Sequence, residues 1–238
     1  MNTLIRTLLI PCLSLSLFAQ EPAKEPHKQN PAPAAPAKQD APKTLQLGAR
    51  VNGGVTLTDL DGKAVKAQEF MGKLTVVNFF SIECPVQKAW DGRLAQIQKD
   101  FESQGVTFLH IDSNKTEIDV TKDNAKPIDG IKAHLKEKGL PFRVLLDHGN
   151  KVADLFEAKT TPHVYVFGAD GKLIYKGLVD DDQKDRNADK RTNHLRDVLG
   201  KLVKKEKVEP FATKEEGCSI KRVEAAAGAT GKKKEGNG

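Results

Sequence analysis

The chain has 238 residues, with 38 Lys and Arg against 32 Asp and Glu, a formal net charge of +6 and only 5% aromatic residues. The excess charge does not form a stripe. Lysines gather in the N-terminal Pro/Ala stretch, at 201–207 and in the tail, the run "VDDDQKD" at 179–185 is acidic, and no basic run carries interleaved aromatics. That distribution excludes a nucleic-acid partner and reads as a solvated surface.

Residues 1–19 read as a secretory signal: Arg6 supplies the charge, Leu8 to Phe18 the apolar core, and Ala19 the cleavage point. The apolar run is too short for a stable membrane span. A lipid-anchored reading through Cys12 is disfavoured, because Pro11 stands where a small residue is expected. Residues 20–43 are Pro, Ala and Lys with almost nothing to bury, so they read as an extended linker. The expected location is therefore outside the cytoplasm, periplasmic or extracellular.

The folded part is expected over 44–207. "GVTLTDLDGKAV" holds two β-prone runs around Asp61-Gly62, a hairpin signal. "KLTVVNFFS" is an apolar run of strand length and should be buried on both faces. After Pro85, the residues Val86, Trp90, Leu94, Ile97 and Phe101 recur at helical spacing until Gly105 ends the pattern. "VTFLHID" is the next strand, "KPIDGIKAHLKEKG" a helix, "FRVLLD" a third buried strand and "NKVADLFEA" a short helix. "HVYVFGADGKLIYKGL" reads as an antiparallel hairpin turning at Asp170-Gly171. An amphipathic helix over 187–205, with Leu195, Val198, Leu199 and Leu202 on one face, closes the domain. Strands alternating with helices predict an α/β sandwich: a central mixed sheet covered on both sides. Residues 208–238 are expected to form a flexible extension carrying Cys218.

Once a signal is removed, two of the three cysteines remain, Cys84 and Cys218, and an exported protein allows them to pair. Cys84 follows a buried strand and precedes Pro85, which places it at a helix N-terminus. Unpaired N–H groups and the helix dipole there favour thiolate over thiol. Pro85 suits the first helical position because its missing N–H costs nothing there. Lys88 adds positive potential one turn on, and Glu83 acts the other way.

Strand "VVNFFS", then "CP", then a helix with Trp90, and later "TTPHVYVFGADGKLIYKG" resemble the thioredoxin-like redoxins over roughly residues 45–205. That superfamily includes exported thiol-disulfide oxidoreductases and the AhpC/TSA group. The resemblance implies a thioredoxin-like three-layer sandwich, with Cys84 as nucleophile and Pro162 a cis proline facing it. It also implies that Thr161 presents its backbone to an extended substrate, so that Pro85, Thr161 and Pro162 shape the substrate site. The usual second thiol is absent, because position 87 is Gln. The ending "GCSIK" resembles exported redoxin-domain proteins with Cys-Pro-Val near the start and Gly-Cys-x-Ile near the end, which makes Cys218 a candidate resolving cysteine.

Cys84 and Cys218 stand 134 positions apart. A permanent bond between them would stabilise the fold by about 5 kcal/mol on a chain-entropy estimate, so a structural bridge competes with a catalytic pair. Two further readings stay open. Ser81 in "SIEC" echoes the hydroxyl three residues before the cysteine in peroxiredoxins. Val77, however, stands where that family has proline, and Pro162 where its arginine falls. A non-catalytic binding module is the other reading.

His110, His134, His148, His163 and His194 show no ligand spacing, and no metal site or organic cofactor is expected. His163 follows the expected cis proline and, with Ser81 and Lys88, is a candidate for tuning the thiolate. A surface position at a strand start is the plainer expectation for it. "VDDD" at 179–182 is expected to be solvated, and Asp112–Asp123 lacks the glycine and ligand order of a calcium loop. The expected partners are a protein or small-molecule disulfide or thiol substrate and a dithiol electron donor.

Overall fold

The computed structural model describes residues 44–223, apart from 52–53, 67–68, 70–71 and 119–125. The expected signal, the linker and the tail from 224 lie outside the described residues. In chain order the elements are β1 (Thr56–Asp59), β2 (Ala64–Lys66), β3 (Thr75–Phe80), α1 (Pro85–Glu102), β4 (Thr107–Asp112), α2 (Lys115–Ile118) and α3 (Lys126–Lys138). There follow β5 (Val144–Leu146), α4 (Lys151–Phe156), β6 (Thr160–Thr161), β7 (His163–Phe167), β8 (Leu173–Gly177), α5 (His194–Val203), β9 (Phe211–Ala212) and β10 (Cys218–Ser219).

The main sheet runs β2-β1-β5-β4-β3-β7-β8-β9, and β10 pairs separately with β6. Strands β3, β4 and β5 are mutually parallel, whereas β7 is antiparallel to β3 and β8 to β7. The sheet is therefore mixed, as expected. All six residues of β3 are buried, because β4 and β7 flank it and both its faces are covered.

One face packs against α1, α3 and α5 through Trp90, Leu94, Ile97, Phe101, Ile131, Leu195, Val198 and Leu199. The opposite face carries Val77, Phe79, Tyr165 and Phe167 and is covered by α4 through Val152, Ala153 and Phe156. The apolar stripe on α1 recurs every three or four residues, which at 3.6 residues per turn keeps it on the sheet. Gly105, with φ +85, takes the left-handed conformation that turns the chain from α1 into β4.

Three expectations need correction. Helix α5 begins at His194 rather than Asn187. Loop carboxylates take the amides that a longer helix would use: Asp182 accepts from the N–H groups of Arg186 and Asn187, and Asp181 from that of Thr192. Second, Asp180 is buried rather than solvated. It accepts from the Trp90 indole at 2.8 Å and pairs with Arg93 at 2.9 Å. Third, residues 208–223 do not form a free extension. Strand β9 adds in parallel to β8, and β10 pairs antiparallel with β6, Cys218 opposite Thr161 and Ser219 opposite Thr160.

Candidate active site

Cys84 is the N-cap of α1, with extended backbone (φ −81, ψ 114) and Pro85 next to it. Its sulfur accepts from the Gln87 N–H at 3.3 Å, a donor that has no partner within the helix, and its S–H donates to the Thr161 carbonyl at 2.9 Å. The residue is only 2% exposed. The Thr161–Pro162 peptide is cis, and it sits at the corner between β6 and β7, opposite the end of α1.

The same corner receives the C-terminal segment. Cys218 pairs with Thr161 across β10 and β6, and its thiol meets both Cys84 and the Val86 N–H. Burial, and then contact with Cys84, push the Cys218 thiol above its ordinary pKa, while the Val86 N–H pulls the other way. Both thiols are free in this structure. Gly217 explains how β10 comes so close. A Cβ there would lie 2.3 Å from the Thr161 oxygen, so only glycine fits the approach.

The anchors lie on both sides of Cys218. Upstream, the Thr213 N–H donates to the Lys176 carbonyl, and the Thr213 hydroxyl accepts from the Leu178 N–H. Downstream, Ile220 is buried and its N–H donates to the Lys159 carbonyl. The N–H groups of Lys221 and Val223 reach the side-chain oxygens of Asn114 and Asn150, at 3.0 and 2.7 Å.

The other expected site residues fall as follows. Pro85 is exposed, whereas Thr161 and Pro162 are buried. The backbone edge expected to meet a substrate is taken by β10. Ser81 accepts from the Cys84 N–H at 3.1 Å and donates to Glu117, so its hydroxyl caps the loop rather than touching the sulfur. Lys88 is exposed and gives its N–H to the Cys84 carbonyl as part of the helix. His163 is not on the surface. It is buried, its Nδ1 lies 3.2 Å from the Tyr165 hydroxyl on the α4 face of the sheet, and burial lowers its pKa to about 4.

Two buried polar networks were not anticipated. Glu117 of α2 accepts from the Ser81 hydroxyl and from the N–H groups of Ile82 at 2.7 Å and Glu83 at 3.4 Å, and so fixes the loop that enters Cys84. Beside it Asp112 is buried, and its pKa is held well above the usual carboxylate range by desolvation and by the Glu117 charge. In the second network Gln87, the residue in place of a second thiol, links Asp91 to Asn78. Asn78 continues to His110, and His110 to Gln98. His110 is stacked on Phe142 and buried, which lowers its pKa to about 3. A partial signal was available: Asn78 interrupts the otherwise apolar run of β3, whereas Gln87 shares its helix phase with the polar Asp91 and Gln98.

The pattern of the AhpC/TSA family matches residues 52–176, more than half of the chain and all of the sheet from β1 to β8 except the end of β8. The chain belongs to the AhpC/TSA family. Its thioredoxin-like fold and a cysteine at the start of α1 agree with that membership. Among curated relatives, it is 26% identical over 133 residues to the thiol-disulfide oxidoreductase ResA of a Bacillus cereus strain, a match covering 56% of this chain and 69% of the relative. Among solved structures, an uncharacterized conserved protein from Geobacillus kaustophilus superposes with a TM-score of 0.65 at 30% identity, covering 77% of this chain and 95% of its own. A hypothetical protein from Sinorhizobium meliloti 1021 gives 0.63 at 25% identity, covering 76% and 97%.

Among the described residues no group of three or more His, Cys, Asp or Glu is arranged to hold a metal ion, and no helix is long and apolar enough to cross a membrane.

Proposed function

We propose that this redoxin is an exported thiol-disulfide oxidoreductase whose redox pair is Cys84 and Cys218. The supporting observation is the seating of Cys218 opposite Thr161, in contact with the sulfur at the N-terminus of α1. A second thiol four residues or fewer along the helix is unnecessary when the C-terminal strand carries one to the same place. In the dithiol form the pair holds two electrons. When a substrate disulfide is reduced, its S–S bond breaks, two substrate thiols leave with two protons, and a Cys84–Cys218 bond forms. A dithiol donor then breaks that bond and restores both thiols. The chemistry resides in sulfur and needs no organic cofactor. The similarity to ResA supports this substrate class, and the signal-like N-terminus supports export.

The peroxidase reading receives less support. The Ser81 hydroxyl is committed to Glu117 and the Cys84 N–H, and is therefore not placed to meet a peroxide beside the sulfur. The pair is tested by reacting the reduced protein with hydroxyethyl disulfide and counting thiols. The expected result is loss of Cys84 and Cys218 as one intramolecular bond, with Cys84→Ser and Cys218→Ser each at least 100-fold slower in full turnover. Undiminished turnover by Cys218→Ser would remove Cys218 from the pair. Rapid sulfenic acid at Cys84 with hydrogen peroxide, without disulfide reduction, would favour the peroxidase.

A further inference from the structure

The position of β10 bears on which sulfur meets the outside partner. A disulfide is attacked along its S–S axis, so the attacking sulfur needs an open line of approach from solvent. Cys84 has none while β10 is in place. It is 2% exposed, its sulfur is held between the Gln87 N–H and the Thr161 carbonyl, and the C-terminal strand lies across it. Cys218 is half-buried and is flanked by exposed residues, Gly217 and Ser219. Nor is β10 a loose flap. Thr213 ties it to β8 on one side, while Ile220, Lys221 and Val223 tie it to Lys159, Asn114 and Asn150 on the other.

We propose that Cys218, not Cys84, is the sulfur at which an outside disulfide reacts, and that Cys84 completes the exchange from beneath. This rests on the Cys84–Cys218 pair proposed above and reverses the order expected from the sequence. In the first step the Cys218 thiol gives up its proton and attacks one substrate sulfur. A Cys218–substrate disulfide forms, and the other substrate half leaves as a thiol. In the second step Cys84, held at the start of α1 with its sulfur accepting from the Gln87 N–H, attacks the Cys218 sulfur. The Cys84–Cys218 bond forms and the second substrate thiol leaves with the proton from Cys84. Two protein thiols are oxidised, and one disulfide is reduced to two thiols. The Thr161 edge stays paired with β10 throughout, so the partner need not be an extended chain and a small disulfide suffices.

The test places the first adduct. The full reduced chain is mixed with hydroxyethyl disulfide, quenched in acid at early times and read by peptide-level mass spectrometry, which separates the two sites from each other and from Cys12. The wild type is expected to carry its early adduct on Cys218. Cys84→Ser should accumulate that adduct, and Cys218→Ser should label at Cys84 at least tenfold more slowly. An early wild-type adduct on Cys84 overturns the proposal, and this arm does not depend on any variant folding. An adduct on Cys218 that never converts to the Cys84–Cys218 bond upholds the point of contact and sinks the pair. Absence of adduct at either site sinks both.

Discussion

Gly217→Ala should weaken the Cys84–Cys218 bond while leaving the domain folded. The new Cβ would stand 2.3 Å from the Thr161 oxygen and 2.8 Å from its carbonyl carbon, with the Thr160 Cβ at 3.3 Å. The obstacle is backbone at a buried corner, so it cannot rotate away as a side-chain end would. In the dithiol form the segment around Cys218 relieves the contact only by loosening the hydrogen bonds of Thr213, Ile220, Lys221 and Val223 that flank it. In the disulfide form it is tethered to α1 and must bear it. Forced overpacking of this kind costs about 1–3 kcal/mol, which for a two-electron couple raises the potential by roughly 20–60 mV. The assay is a redox titration of wild type and variant in glutathione buffers, followed by differential alkylation, with thermal unfolding of the reduced forms as the control for the fold. A midpoint unchanged within about 10 mV, a third of the shift that a tenfold change in the equilibrium produces, would refute the claim that the close approach of β10 to Thr161 positions Cys218.

Other consequences concern the buried polar groups. His110 has a folded pKa lowered to about 3 by burial. The stability it contributes is therefore complete above about 6.5 and is lost as pH falls, at about 1.4 kcal/mol per unit; in denaturant melts between neutral and mildly acidic pH, His110→Gln should remove that part of the slope. Asp112 has the opposite sign. Its raised pKa makes it most favourable below 3.8 and progressively costly as pH rises. Asp112→Asn, which keeps a donor for Glu117, should thus stabilise the protein at neutral pH and have no such benefit below 3.8; equal effects at both would contradict the assignment. Asp180→Ala removes the acceptor of Trp90 and the partner of Arg93. It should cost about 3 kcal/mol and shift the emission of the only tryptophan in the chain.

Much of the architecture was legible because local pattern and tertiary role agree. The apolar run of β3 could only be a central strand, and the spacing of Trp90, Leu94, Ile97 and Phe101 could only face a sheet. Cys84 before Pro85 announced the helix end without help from any partner. The rest depended on contacts distant in sequence. Glu117 is unremarkable in its own stretch, and its meaning comes from the Ser81 hydroxyl and the Ile82 and Glu83 amides 34–36 positions away. The stretch around Cys218 has too little apolar content to look folded; Ile220 alone is buried among its neighbours, and the remaining hold is backbone hydrogen bonding with polar side-chain contacts such as the Arg222–Asp154 pair. Gly217 carried a signal, since a glycine beside a cysteine admits close backbone approach, but the thing approached, Thr161, could not be read from the sequence. His163 looked like a surface residue because its place at the start of a strand does not show that the strand is covered there.

The proposed function requires Cys84 and Cys218 to cycle between dithiol and disulfide. Its most direct test is peptide mapping of the protein equilibrated across a series of glutathione potentials, with free thiols alkylated before reduction and released thiols labelled after it. A Cys84–Cys218 link that opens and closes at a potential above about −300 mV, in the range of exchange enzymes, is the predicted result. A link resisting reduction below that value would make Cys218 a structural staple, and two thiols that stay free at every potential would contradict the pair altogether.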